Sequence, residues 1–346
     1  MLKNKLAVFI SMALPFSFGI YAAEQTPVSP NQILTVTSTA DDGSAGTLRW
    51  ALEKNNLNPG HYRIEIDLKE NKPMVIKPAK PLPPVKGPVS IIGTNWLKNG
   101  KYVSIDGSAY IKPVDPRACP GAVPGQFGAN VRTTSFPGLV LQDTHDVTLQ
   151  GIEVRNFCVG ILINRASNNI IEDSRITGNH GGAGLMMTGD DGKGNSTATT
   201  TQRNKIIRNV FTNNGDGMEA TRGASFNLIA DNLITTDEVN NKEPSQGLEM
   251  LWGNDNEVIH NHFEKYSDGV QLNWGNNNYI AGNIFNNLSS AVTLSGTGNM
   301  VSGNRMFTTR VSVSVRPHGE PGKDGQFGIN RITGPAIDRI SENIMI

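Results

Sequence analysis

A short phrase that opens on a small residue and continues with alternating apolar positions recurs along the chain from residue 138 onward. It reads Gly138-Leu-Val-Leu, Gly160-Ile-Leu-Ile, Gly184-Leu-Met-Met, Gly217-Met-Glu-Ala, Gly247-Leu-Glu-Met, Gly269-Val-Gln-Leu and Ala291-Val-Thr-Leu, in steps of 22, 24, 33, 30, 22 and 22 residues. A second phrase follows each time, from Asn168-Asn-Ile-Ile-Glu-Asp through Asn204-Lys-Ile-Ile-Arg-Asn, Asn227-Leu-Ile-Ala-Asp-Asn, Asn256-Glu-Val-Ile-His-Asn and Asn278-Tyr-Ile-Ala-Gly-Asn to Asn299-Met-Val-Ser-Gly-Asn. A fixed period of this length is the mark of a stacked repeat. One unit cannot bury its apolar face by itself, whereas stacked units do so with parallel strands about 4.8 Å apart. Asn and Gly at the turns tolerate left-handed backbone, and Asn amides can stack from coil to coil. A period of two, broken by Gly and Asn, excludes a helical repeat.

The chain is therefore predicted to be all-β, a right-handed single-stranded parallel β-helix. Gly46-Thr-Leu-Arg-Trp-Ala-Leu-Glu-Lys54 forms a short N-terminal helix over the open first coil, because a solenoid end needs a cap. Residues 24–346 make one domain, with the cap over about residues 31–60, regular coils over about 138–316 and a C-terminal tail. Residues 1–23 read as an export signal: Lys3 and Lys5, an apolar stretch from Leu6 to Tyr21, and Ala22-Ala23 at the point of cleavage. The chain is thus expected in the periplasm or outside the cell, with no membrane-spanning segment after cleavage. Thirty-one basic residues balance thirty-one acidic ones without a basic run, which argues against a nucleic-acid partner. In an oxidising compartment the two cysteines, Cys119 and Cys158, are expected to form a disulfide that closes the Pro- and Gly-rich excursion between them.

The repeats from Gly138 to Asn304, together with the start Leu34-Thr-Val-Thr-Ser-Thr-Ala-Asp-Asp-Gly-Ser-Ala-Gly-Thr-Leu-Arg-Trp-Ala-Leu52, resemble the pectin-lyase-like β-helix superfamily of exported bacterial proteins. The resemblance implies the fold over most of the mature chain. It does not single out a reaction, since that superfamily holds lyases, hydrolases, epimerases, fructan-converting enzymes, adhesins and a periplasmic copper-insertion accessory. The ordered Asp motifs and Arg-Ile-Lys of its polygalacturonases are absent, as is the Asp-Pro-His-Asp phrase of its mannuronan epimerases.

Alternation assigns the faces of the first strand in each coil. Met218, Leu248, Val270 and Val292 point inward. The outward column is Leu162, Met186, Glu219, Glu249, Gln271 and Thr293, and the next outward column is Asn164, Thr188, Thr221, Leu251, Asn273 and Ser295. At the following turn stand Arg165, Gly189, Arg222, Trp252, Trp274 and Gly296. Glu219 and Glu249 are expected one strand spacing apart, close to the carboxylate separation of retaining glycosidases. The leading expectation is an exported polysaccharide-cleaving hydrolase. In it, Glu219 and Glu249 form the catalytic pair with Arg222 as their partner. Trp252 and Trp274 serve as the sugar platform, and Gln271, Asn273 and Thr221 contact substrate. Calcium held by Glu219, Glu249 and Gln271 would instead suit a polysaccharide lyase. A non-catalytic polysaccharide-binding or periplasmic accessory protein is the reading from a different class. Two insertions, Asp190 to Gln202 and Asp237 to Gln246, are expected to wall the groove. Asp216 and Asp268 are read as turn caps, Lys265 as a base only if it faces the groove, and His180, His260, His262 and His318 as too scattered for a metal cluster.

Overall fold

The computed structural model describes residues 32–111, 137–179, 182–189, 200–237, 246–315 and 338–346. The proposed signal segment, Cys119, His180, His318 and most of both insertions lie outside the described residues. The described chain winds into a right-handed parallel β-helix with sheets of eleven, ten and eight strands. Every strand pairing is parallel and links one coil to the next.

The coils begin earlier than the regular repeat suggests. Strand Gln32–Val36 pairs with Tyr62–Ile66, which pairs in turn with Val89–Gly93, so the irregular first third of the chain already belongs to the stack. Helix Leu48–Leu57 covers this end, with Thr47 as N-cap and Leu48, Ala51 and Leu52 fully buried. The cap is pinned by a buried ion pair. Arg49 donates through Nε and Nη2 to Asp41 at 2.9 and 2.8 Å, through Nη1 to the Pro81 carbonyl at 3.0 Å and through Nη2 to the Lys80 carbonyl at 2.9 Å. Asp41→Ala would strand a buried guanidinium and is expected to lower stability by about 3 kcal/mol, measured as a shift in the denaturant midpoint.

At the other end, the C-terminal segment is more than a tail. Strands Arg339–Ser341 and Ile344–Met345 pair with Met300–Ser302 and Arg305–Phe307, so the chain returns to complete a further turn of two sheets.

The Asn phrases form internal ladders. Asn169, Asn204, Asn227, Asn256, Asn278 and Asn299 follow one another through the interior, each Nδ2 donating to the next Oδ1 at 2.8–3.2 Å. A second ladder runs through Asn209, Asn232, Asn261, Asn283 and Asn304. Each Oδ1 also takes the preceding coil's backbone N–H, as in Asn227 N–H to Asn256 Oδ1 at 3.0 Å. The amides thereby satisfy backbone groups that the turns would otherwise leave buried and unpaired. The small opening residues serve close approach between coils: a Cβ on Gly217 would meet the Gly247 carbonyl oxygen at 2.4 Å. Between the ladders lies one continuous apolar core, in which Phe263 and Phe285 stack at 5.2 Å. Cys158 is buried in this core and engaged in a disulfide.

Candidate functional site

The eight-stranded sheet carries the candidate site on its outer face. Its strands pair in the register that alternation predicts: Leu162 with Met186, Met186 with Glu219, Glu219 with Glu249, Glu249 with Gln271, and Gln271 with Thr293. Inward Met218, Leu248, Val270 and Val292 are fully buried. The outward column changes character along the stack. Leu162 and Met186 form an apolar patch with Val159, after which Glu219 and Glu249 place two carboxylates side by side.

Glu219 is almost wholly buried, at 1% exposure, and Glu249 is half-buried. Asp216 joins them, and one carboxylate oxygen from each of the three lies within 4.8 Å of the others. The membership of Asp216 was not expected. Two residues before inward Met218, strict alternation turns it toward the core. Instead the strand Asp216–Thr221 begins at the sheet edge, and passing through Gly217 the chain keeps the Asp216 carboxylate beside Glu219. Asp216 still performs the anchoring expected of it, since its Oδ1 accepts the Gln246 N–H of the next coil at 3.0 Å.

A polar network extends from the cluster. Asn273 Nδ2 donates to Glu249 Oε1 at 3.0 Å and to Gln271 Oε1 at 3.2 Å, and Gln271 Nε2 donates to Asp268 Oδ2 at 2.8 Å. Asp268 is 6% exposed. Its place in this network, like that of Asp216, is more than a turn cap; the repeated polar-Gly pair at 216–217, 246–247 and 268–269 is the signal that marked both positions in the sequence.

At the exit turn, Arg222 and Trp252 are buried at 5% and 8% exposure, and Trp274 is half-buried. All three adopt left-handed backbone, with φ of 46°, 57° and 56°. The indoles stack on each other at 5.0 Å and 4°. This corrects the expectation of a platform made by both indoles: Trp252 is covered, and the pair offers a ligand at most the outer face of Trp274. Thr221 is fully buried.

Lys265 stands at the opposite, opening edge of the sheet. It pairs with Asp237 at 3.4 Å and Glu264 at 3.9 Å and lines a cavity of about 560 Å³ with Tyr266, Ser267, Ser289 and Arg310. It therefore does not stand in the carboxylate column.

Residues 119–243 and 230–319 match the family described as periplasmic copper-binding protein (NosD), so that the two matches together span more than half of the chain. The chain belongs to the NosD family. A 3-dehydroshikimate dehydratase of Acinetobacter baylyi is 58% identical over 283 residues, which is 82% of this chain; the chain spans 58% of that protein's length. Among solved structures, a double mutant of the periplasmic alginate epimerase AlgG superposes with a TM-score of 0.50 at 12% identity, covering 82% of this chain and 60% of that one. A single mutant of the same epimerase gives 0.50 at 14% identity with the same coverages. Likeness at that identity shows the β-helix alone.

The Acinetobacter relative overturns the polysaccharide-cleaving hydrolase, and with it the lyase and binding alternatives. A chain so similar carries the name of a dehydratase acting on 3-dehydroshikimate, and neither glycosidic-bond cleavage nor a sugar platform follows from that name. The stacked carboxylates were placed correctly in space but read for the wrong chemistry, because a carboxylate pair serves glycosidases and proton-abstracting enzymes alike.

The NosD description names copper, and the carboxylate cluster among the described residues does not suit that metal. Among the described residues, the one convergent group of three or more possible ligands is Asp216, Glu219 and Glu249, all oxygen donors. Copper prefers imidazole nitrogen and thiolate or thioether sulfur. Cys158 is held in its disulfide, and His260 stands on a turn with its side chain 66% exposed.

Proposed function

We propose that this NosD-family chain is a periplasmic dehydratase of 3-dehydroshikimate, acting on the outer face of the eight-stranded sheet. The observation that carries the reading is the buried carboxylate cluster of Asp216, Glu219 and Glu249, in a chain 58% identical to a protein of that name. The substrate is a carboxylated cyclohexenone with hydroxyls on the two carbons following the ketone. The proton on the first of these carbons is acidified by the ketone, and a carboxylate of this face removes it. The resulting enolate expels the hydroxyl of the second carbon, which takes a proton and leaves as water. The dienone then loses a ring proton, gains one at the ketone oxygen, and becomes aromatic 3,4-dihydroxybenzoate.

The chain's side chains suit these steps. Positioned carboxylates supply proton transfer worth about 10²–10⁴ in rate. Arg222, at the same turn as the indoles, pairs with the substrate carboxylate as a planar two-pronged donor. Trp274 presents the outer face of the stacked indoles to a ring that flattens as it aromatises.

Purified protein mixed with 3-dehydroshikimate should produce 3,4-dihydroxybenzoate, identified by chromatography and by its aromatic ultraviolet absorbance. No product at enzyme concentrations equal to substrate would overturn the reading. Trp274→Ala is expected to raise KM about fivefold with a smaller change in kcat, corresponding to the loss of one aromatic contact of about 1 kcal/mol.

A further inference from the structure

We infer that the cavity at the opening edge of the eight-stranded sheet is a second binding site, for a hydroxylated ring compound that bears one carboxylate. The cavity measures about 560 Å³, a size common among sites for small organic molecules and far larger than an inorganic anion fills. The inference goes beyond the dehydratase reading and does not rest on it.

The stacking of coils builds the site. Ser267, Ser289 and Arg310 each stand immediately before a strand of that sheet, Asp268–Asn273, Ser290–Leu294 and Val311–Val315. Those strands pair Asp268 with Ser290 and Ser290 with Val311, so the three residues follow one another along the sheet edge at about 4.8 Å per coil. All three line the cavity. Among the described residues, the two serine hydroxyls and the Arg310 guanidinium make no hydrogen bond; the backbone alone bonds there, as in Arg310 N–H to the Leu288 carbonyl at 3.1 Å.

Charge selects an anion. Asp237 and Glu264 lie 3.4 and 3.9 Å from Lys265 Nζ and offset its charge. Arg310 has no such carboxylate among the described residues, so its guanidinium is the open cation of the cavity and binds a carboxylate through two parallel N–H donors. Beneath this polar rim, Tyr266 and Leu288 line the cavity while belonging to the apolar core, at 2% and 5% exposure. They offer an apolar surface to the skeleton of a ring, and the serine hydroxyls meet the hydroxyls of the ligand as donors or acceptors. The strand Asp268–Asn273 separates Ser267 from Trp274 by roughly 20 Å at about 3.3 Å per residue. One ring acid therefore cannot occupy this cavity and the Trp274 turn together.

The test is equilibrium dialysis of full-length protein against radiolabelled 3,4-dihydroxybenzoate, for wild type, Arg310→Gln and the Ser267→Ala/Ser289→Ala pair. Arg310→Gln is expected to weaken one bound molecule per chain by about ten- to a hundredfold, while turnover of 3-dehydroshikimate stays at the wild-type level. The serine pair should weaken 3,4-dihydroxybenzoate about tenfold and benzoate under about twofold, since benzoate has no hydroxyls to lose. Neither 1,2-dihydroxybenzene, which lacks the carboxylate, nor inorganic phosphate should displace the label from this site. Isotherms that coincide for wild type and Arg310→Gln overturn the inference, as does displacement by either competitor at equal concentration or loss of turnover together with binding in Arg310→Gln. Binding that depends on Arg310 in a chain that does not turn over 3-dehydroshikimate keeps the site and removes the dehydratase reading. Turnover without such binding does the reverse.

Discussion

Glu219→Gln is expected to lower kcat/KM for 3-dehydroshikimate by about a thousandfold, the range in which a positioned carboxylate contributes to proton transfer at carbon. Gln keeps the shape of the side chain and its capacity for hydrogen bonding but removes the charge. Glu219 sits at 1% exposure in register between Met186 and Glu249, with Asp216 at its side. A purely structural glutamate would show its loss in the unfolding curve and leave turnover within a few-fold of wild type. The expected pattern is the opposite, with the denaturant midpoint held to within about 1 kcal/mol and turnover lost. Steady-state kinetics on the variant, alongside guanidinium unfolding, separates these two outcomes.

The largest effect on stability is expected from Asn261→Ala, at about 4 kcal/mol. Asn261 Oδ1 accepts from the Asn232 backbone N–H and Nδ2 at 3.0 and 2.9 Å, and its own Nδ2 donates to the Ile229 carbonyl at 2.8 Å and to Asn283 Oδ1 at 3.1 Å. All of these groups are buried. Truncation leaves two donors and two acceptors short of a partner, at about 1–3 kcal/mol for each group left unsatisfied, offset in part by relaxation and entering water. Guanidinium unfolding followed by circular dichroism measures the loss. A change below about 1 kcal/mol would show that the turns hold their shape without the ladder. Asn261→Asp should cost more than Asn261→Ala, because a carboxylate cannot donate to the Ile229 carbonyl and brings a charge into the interior.

The ladder was the most legible part of the fold. The Asn-x-x-x-x-Asn phrases state in one dimension where the chain turns, and the physics of an amide with a donor and an acceptor then stacks them. The sides of the outward strands were legible for the same reason: period two leaves no choice while the strand is regular. The approximate coil length and the register of Glu219 against Glu249 followed from these two features, and the capping helix from the stretch at residues 46–54 that a solenoid end needs. The start of the stack was less clear, because strands Tyr62–Ile66 and Val89–Gly93 come without the Asn punctuation. The return of Arg339–Met345 to the stack was hidden, since two short strands far from their partners in sequence carry no periodic signal.

The register of the two glutamates was legible, and the reaction read from them was not the one the Acinetobacter relative's name gives. Carboxylates on a β-helix groove are compatible with many reactions, and a fold shared by hydrolases, lyases and epimerases gives no preference among them. Period, turns, inward and outward faces, and the pairing of Glu219 with Glu249 were determined by the sequence alone, because they depend on alternation and on local turn chemistry. The tertiary structure alone decided that Asp216 leaves its alternating side to join those glutamates, that Asp268 is tied to Gln271, and that Trp252 lies covered under Trp274. These depend on how the chain enters and leaves each strand at the sheet edge, where alternation lapses and contacts with the neighbouring coils set the direction of each side chain.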